Sequence, residues 1–308
     1  MTSISNEILS QATIYPFCQT LNSSLYIAEI PRHKLILKAR PATIFRREEE
    51  ALDRLTKARF PHIPPYYGRF KLNGQDVLAQ EYIEGSELLR DPGSAGTHLK
   101  KIARALRQLK DIRLTRKKSL AAMIGEEAKQ LEQLWRCVNL SCEKKNNPLL
   151  KPFLRKALSC KEKMSFFQRQ LSKTRESIFP SLINGEPEIL ISGKRVYILD
   201  WECARYADNV YDIAYLAYRY PDMEISNFLK LCYQGEHEKK HLKQRFLLWR
   251  YFIHMKNYLF SIQDFNCSSV YYKIPDKLFE TLVKIDLEKR LDGLRRACAE
   301  LEFFLSRR

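Results

Sequence analysis

The period of this chain changes at Gly85, and that change limits the folds open to it. Before Gly85, apolar and polar residues alternate in short runs of the length strands need. "SLYIAEI" (Ser24–Ile30) and "HKLILKA" (His33–Ala39) are two such runs, joined by a link short enough for a hairpin. "YYGRFKL" (Tyr66–Leu72) and "DVLAQEYI" (Asp76–Ile83) flank Asn73-Gly74, a pair that favours the tight turn of a two-residue hairpin. Between the two hairpins, "TIFRREEEALDRL" (Thr43–Leu55) has helical spacing in Phe45, Glu49, Leu52 and Leu55, and Pro61, Pro64 and Pro65 end it. After Gly85 the pattern is helical. "THLKKIARALRQLKDI" (Thr97–Ile112) is amphipathic, residues 115–178 are rich in Lys and Glu with a break at Asn146–Pro148, and Tyr211–Arg308 is rich in Leu, Phe and Tyr. One β element interrupts this region: "EILISGKRVYILDW" (Glu188–Trp201), two strands around a Ser192-Gly193 turn. The sequence therefore predicts an α+β chain of two lobes, a small β-rich lobe over residues 1–85 and a large helical lobe over 86–308 that holds one hairpin.

Several function classes are excluded or weakened by content. The eight cysteines form no C-x-x-C pair, so neither a zinc ribbon nor a dithiol redox motif is present. Scattered cysteines in a chain of 308 residues read as reduced and intracellular. His237 and His241 have i, i+4 spacing, but "GEHEKKHLKQ" reads as a solvated helix start rather than a metal site. No signal-peptide pattern and no run long enough to cross a membrane is visible, so a cytoplasmic location is expected. The formal charge of +17 attracts anions in general, nucleotides, nucleic acid and phosphorylated metabolites among them, without choosing between them.

Two stretches carry a resemblance to a known family. In the first, "LILKA" precedes the helix "RREEEAL", and "LAQEYIEG" follows at the end of the β-rich lobe. In the second, "LINGEPEILISGKRVYILDWECARYADNVYDIAYLAY" contains a hairpin, "ILDWE" and "DNVYD". In this order they resemble the aminoglycoside phosphotransferase / choline kinase family, which has a two-lobed, protein-kinase-like fold. The resemblance covers roughly residues 14–260. It implies an ATP-dependent phosphotransferase using Mg2+, with residues 1–85 as the nucleotide-binding lobe and 86–308 carrying the catalytic hairpin and acceptor site.

Residue by residue, the resemblance makes Lys38 the cation that holds nucleotide phosphates and Glu48, with Glu49 as the alternative, the carboxylate that orients it. It places the backbone of Glu81 to Ile83 against the adenine. It makes Asp200 the strand-end carboxylate that binds the metal, and Asp208 and Asp212 structural anchors. The loop "CQTLNSS" should cover the phosphates through Asn22, Ser23 and Ser24, although its composition suits an ordinary polar turn equally well.

The chain departs from the family in the catalytic loop. Where the family has His-Gly-Asp, this chain has Asn184-Gly185-Glu186, and no asparagine precedes "ILI". Glu186 is then the expected base, one methylene longer than aspartate, and the second metal ligand is missing unless Glu188 replaces it. Lys110 stands where the family's helix ends in histidine.

Three functions stay open on the sequence. The first is a kinase moving the γ-phosphate of ATP to the hydroxyl of a small molecule. The basic surface favours an anionic or polyhydroxylated acceptor over a polycationic aminoglycoside. The second is a pseudokinase, a scaffold or regulator of a protein partner, which the altered loop supports. The third is a nucleic-acid-associated protein, drawn from the basic runs "RLTRKK", "CEKKNN" and "KPFLRKALSCKEK", which also read as solvated helix faces. The aromatic run at Gln244–Phe260 is expected to pack the core.

Overall fold

The computed structural model describes residues 11–19, 23–31, 33–88, 95–145, 149–172, 177–220, 225–233, 239–267 and 276–306. Asn22, the Asn146–Pro148 break and His237 lie outside these residues, as does the side chain of His241. The chain divides into two compact units. The first comprises Met1–Leu114, Ser181–Asp212 and Arg219–Gly235, and the second comprises Thr115–Pro180, Ile213–Tyr218 and Glu236–Arg308.

The first unit begins with strands β1 (Thr13–Gln19), β2 (Ser24–Ile30) and β3 (His33–Ala39), then helix α1 (Ala42–Lys57), then β4 (Tyr66–Leu72) and β5 (Gln75–Glu81). The strands form one antiparallel sheet in the order β1-β2-β3-β5-β4. The alternation in β3 decides its faces: Leu35, Leu37 and Ala39 are buried with Ala28, Ile30, Phe70, Val77 and Ala79, whereas Ile36 and Lys38 have the opposite parity. Asn73 and Gly74 both have positive φ, 50° and 80°, as the expected tight turn requires.

Helix α1 buries Phe45, Ala51, Leu52 and Leu55. It ends in a Schellman motif: Arg59 N–H donates to the Thr56 carbonyl at 3.0 Å and Phe60 N–H to the Leu55 carbonyl at 2.9 Å. Arg59 takes the left-handed position of this motif, with φ of 51°, where glycine is the usual occupant.

Beyond the sheet come β6 (Ser86–Glu87), α2 (Ala95–Leu109), β7 (Lys118–Ser119), α3 (Leu120–Lys144), α4 (Lys151–Ser172) and β8 (Ser177–Ile178). The chain continues through β9 (Ser181–Ile183), β10 (Glu188–Ser192), β11 (Arg195–Leu199), β12 (Arg205–Ala207), α5 (Val210–Arg219), α6 (Ile225–Cys232), α7 (Lys239–Cys267) and α8 (Asp276–Ser306). The isolated hairpin is β10–β11, with β6 added at its edge. Its turn lies one residue later than the sequence predicts, because Ser192 pairs with Arg195 and leaves Gly193-Lys194 as the turn. The second strand is also shorter. It stops at Leu199, and Asp200 leads into a single 3-10 turn over Trp201–Cys203, held by the indole N–H donating to the Ile198 carbonyl at 3.0 Å. Gly85 is needed for close approach, since a Cβ there would stand 2.3 Å from the Ile191 carbonyl oxygen.

In the second unit the long helices α3, α4, α7 and α8 pack on one another around buried apolar side chains. The aromatic run within α7 packs that core as expected: Phe246, Trp249, Tyr251, Phe252 and Tyr258 are buried. Two of these spend their hydroxyls on α4, Tyr251 on the Cys160 carbonyl at 2.8 Å and Tyr258 on the Phe153 carbonyl at 2.7 Å. Among the described residues no helix is long and apolar enough to cross a membrane.

Candidate active site

Lys38 and Arg40 share a parity at the end of β3, and both turn to carboxylates far along the chain. Lys38 Nζ donates to Glu48 at 2.8 Å and to Asp200 at 2.7 Å. Arg40 reaches three carboxylates: Glu48 at 3.1 Å through Nε, Asp200 at 2.8 Å through one terminal nitrogen, and Glu202 through the other. Glu48 can take part because it lies on the apolar stripe of α1 with Phe45, Ala51, Leu52 and Leu55. Glu49 points elsewhere and approaches Arg69 at 3.6 Å. The cluster is deep: the side chain of Glu48 is 1% exposed and that of Arg40 is 5% exposed.

Asp200 is placed by strain as well as by charge. Its φ of 58° is left-handed, a conformation that costs a non-glycine residue about 1–2 kcal/mol. Three neighbours hold it there. Trp201 is buried beside it with its ring edge-on to Phe60, and the Asn184 side-chain amide donates to the Leu199 and Asp200 carbonyls at 2.9 and 3.1 Å. Asn184 therefore links the altered loop to the Asp200 segment.

The same loop is clamped from the other side by Asp212 at the start of α5. One Asp212 oxygen accepts from Asn184 N–H at 2.9 Å and the other from Gly185 N–H at 2.8 Å. Burial pushes the Asp212 carboxyl up to about 6, against these two bonds and the positive charge of Arg205. Asp208 has a different partner, the N–H of Val210 at 3.0 Å, which it caps. Gly185 has a φ of 91°, and a Cβ there would stand 2.8 Å from the Cys203 carbonyl oxygen, so only glycine fits.

The residues singled out from the sequence thus fall into two groups. Lys38, Glu48 and Asp200 meet directly. Glu186 follows the clamped loop and donates its N–H to the Asn184 side-chain oxygen at 3.2 Å. Glu188 opens β10 and stands 3.9 Å from Arg219; burial first, then the charge of Asp200, raises its carboxyl above the usual range. Ser24 belongs to β2, paired with Gln19 and Ala39, and Ser23 is buried just before it. In the hinge segment Glu81 and Tyr82 spend their N–H groups on the Pro65 and Lys34 carbonyls, at 2.8 and 2.7 Å. Lys110 sits over the ring of Tyr233 at 5.1 Å.

Sequence reasoning missed Arg40, Glu202 and the linking role of Asn184. The available signal for Arg40 was its spacing of two from Lys38, which puts it on the same sheet face. Its presence bears on a divalent metal. Arg40 engages both Asp200 and Glu202, and among the described residues no group of three or more His, Cys, Asp or Glu could hold a metal ion. As arranged, Asp200 and Glu202 hold a guanidinium between them.

Residues 20–162 match the model of the phosphotransferase enzyme family. No curated protein matches the chain in sequence. Among solved structures it is similar to a choline/ethanolamine kinase family protein of Mesorhizobium loti, at 15% identity and a TM-score of 0.63 over 96% of this chain and 92% of that one. It is similar to spectinomycin phosphotransferase in complex with ADP and spectinomycin, at 12% identity and a TM-score of 0.64 over 94% and 96%. A thermostable mutant of an aminoglycoside phosphotransferase, in ternary complex with AMP-PNP and hygromycin B, matches at 12% identity and a TM-score of 0.61 over 99% and 98%. At such identities the likeness is one of fold, and it bears out the kinase-like α+β architecture and the family resemblance read from the sequence.

Proposed function

We propose that this chain, which resembles the phosphotransferase enzyme family in sequence and its kinase-like members in fold, is a small-molecule phosphotransferase that takes its phosphate from ATP. The observation that carries the reading is Lys38 Nζ bridging Glu48 and Asp200, residues 10 and 162 positions away. A half-buried lysine held by a buried helix carboxylate is a preorganised cation for nucleotide phosphates. Ile83 N–H is the hinge donor offered to the adenine, since Glu81 and Tyr82 are committed to the fold.

In the transfer step Glu186 takes the proton of an acceptor hydroxyl. The hydroxyl oxygen bonds to the γ-phosphorus as the bond to the bridging oxygen breaks, and ADP leaves. Lys38 is the cation that turns to the phosphates, and Arg40 holds the Asp200 and Glu202 carboxylates beside it. The family reading gives Asp200 and Glu188 a magnesium ion, which would have to compete with Arg40 for Asp200.

Arg40 also favours a second reading, a pseudokinase that binds nucleotide without turnover and acts on a protein partner. Calorimetry with ATP, with and without Mg2+, on the wild type, Lys38→Met and Asp200→Ala tests the first element. Binding that disappears in Lys38→Met supports a phosphate site, and ADP release with polyhydroxylated or anionic acceptors, lost in Glu186→Gln, supports the enzyme. Binding without any ADP release moves the assignment to the pseudokinase. No ATP binding by the wild type removes both.

A further inference from the structure

The first unit contains a second concavity, of about 1040 Å3, that reaches the hinge at Glu81 and Ile83 and contains none of Lys38, Arg40, Glu48, Asp200 or Glu202. Its volume is at the upper end of ligand pockets, which run to about 1,000 Å3. Five cations line it: Arg59 after α1, Lys101 and Arg104 on α2, and Lys194 and Arg195 at the turn of the β10–β11 hairpin. Among the described residues none of the five pairs with a carboxylate. The lining contains one carboxylate, Glu81, and it is already engaged by the Tyr67 hydroxyl and by His33 at 3.5 Å.

Two features argue that this charge is selected rather than incidental. First, five like charges around one concavity repel one another, against a single carboxylate in the wall. Second, Arg59 occupies the left-handed position of the α1 cap, with φ of 51°, where glycine would be relaxed and an arginine is strained. Of the wall's phenyl, phenol and indole rings Phe60, Tyr66 and Tyr197 are buried, and half-buried Tyr67 spends its hydroxyl on Glu81 and stands edge-on to His33. A ligand read by charge fits this wall better than one read by base stacking.

We propose that this cavity is an anion site for a small molecule carrying several phosphate groups, separate from the Lys38–Asp200 cluster. The cations come from three elements, the cap of α1, the helix α2 and the β10–β11 turn, so a bound polyanion ties these elements together beside the hinge.

Inorganic tripolyphosphate is the probe. Titration by calorimetry into the full chain is expected to show saturable binding that survives Lys38→Met. It should weaken about tenfold or more in Lys194→Glu/Arg195→Glu, whose positions are at an exposed turn. The matched control Lys277→Glu/Lys289→Glu, on the exposed face of α8, should bind as the wild type does. A raised melting temperature in tripolyphosphate should follow the same pattern across the variants. Loss in Lys38→Met alone would place the anion at the active site, and equal loss in the α8 control would reduce the effect to net charge. Either result overturns the proposal, as does absence of saturable binding. So does a single-stranded RNA that binds more tightly than tripolyphosphate through Lys194 and Arg195, which would make the surface a nucleic-acid site.

Discussion

Arg40 is the residue on which the chemistry of the site turns. Its guanidinium is 5% exposed and answers three carboxylates, while Lys38 answers two of the same three. Removing Arg40 leaves buried Glu48 with Lys38 alone and takes the cation from Asp200 and Glu202, which are 28% exposed, so the cost is about 1–3 kcal/mol, below that of breaking a wholly buried pair. Arg40→Gln is therefore expected to lose stability of that order in urea denaturation. The loss should be partly recovered by millimolar Mg2+, which can take the vacated place between Asp200 and Glu202, whereas the wild type should be indifferent to Mg2+. Equal Mg2+ response in both proteins would contradict the placement of the guanidinium between these carboxylates. The same scale shows why Glu48 was legible and Arg40 was not. Glu48 is reached through the family resemblance, which sets a helix carboxylate beside Lys38, whereas the helical spacing alone groups Glu49 with Phe45, Leu52 and Leu55; the structure buries Glu48 and leaves Glu49 near Arg69. Arg40 beside Lys38 reads as one more solvated cation until Asp200, 160 residues away, is brought to it.

At the scale of elements, the altered catalytic loop is held as firmly as the fold allows. Asp212 accepts both N–H groups at its start, Asn184 reaches across to the Asp200 carbonyl, and Gly185 sits where no Cβ fits. Gly185→Ala combines a left-handed backbone with a clash and should cost about 1–3 kcal/mol. ATP binding should weaken with it if the loop positions Asp200. Asp212 gives the loop a pH signature. Burial raises its folded value to about 6 from an ordinary 3.8, so the folded state holds the proton more tightly than the unfolded chain does. The stabilisation from this group is complete below about pH 4 and is lost as pH rises through about 6. A carboxyl carbon resonance titrating near pH 6, absent in Asp212→Asn, would confirm this, and a midpoint near 4 would refute it. The alternation of the sequence found the strands around this loop but placed the second hairpin strand too far, through Trp201. Nothing in the pattern announces that the indole bonds back to Ile198 and turns the chain out of the sheet at Asp200.

For the molecule as a whole, the excess of positive charge sets the response to acid. At +17 near neutrality, every further proton adds to self-repulsion, and salt should relieve that part by screening. A second part is local and cannot be screened in the same way. His254 on α7 lies against Gly293 of α8, where an added Cβ would stand 2.9 Å from its ring, and edge-on to Tyr218 at 4.9 Å. Burial, reinforced by Arg250 and Arg296, pushes this imidazole down to about 3. The unfolded chain takes up a proton at His254 below about pH 6.5. The folded chain does not, so stability falls from about pH 6.5 toward 3. Melting temperatures at pH 7.5, 6 and 4.5, each in low and moderate salt, separate the two contributions. Salt should raise the acid melting temperatures of the wild type and of His254→Gln alike, because both carry the net charge. The steeper fall of the wild type should remain at either salt concentration and flatten in His254→Gln, because a neutral amide has no proton to refuse. If salt alone removed the difference between the two proteins, the acid response would belong to the surface, and His254 would be an ordinary packed side chain.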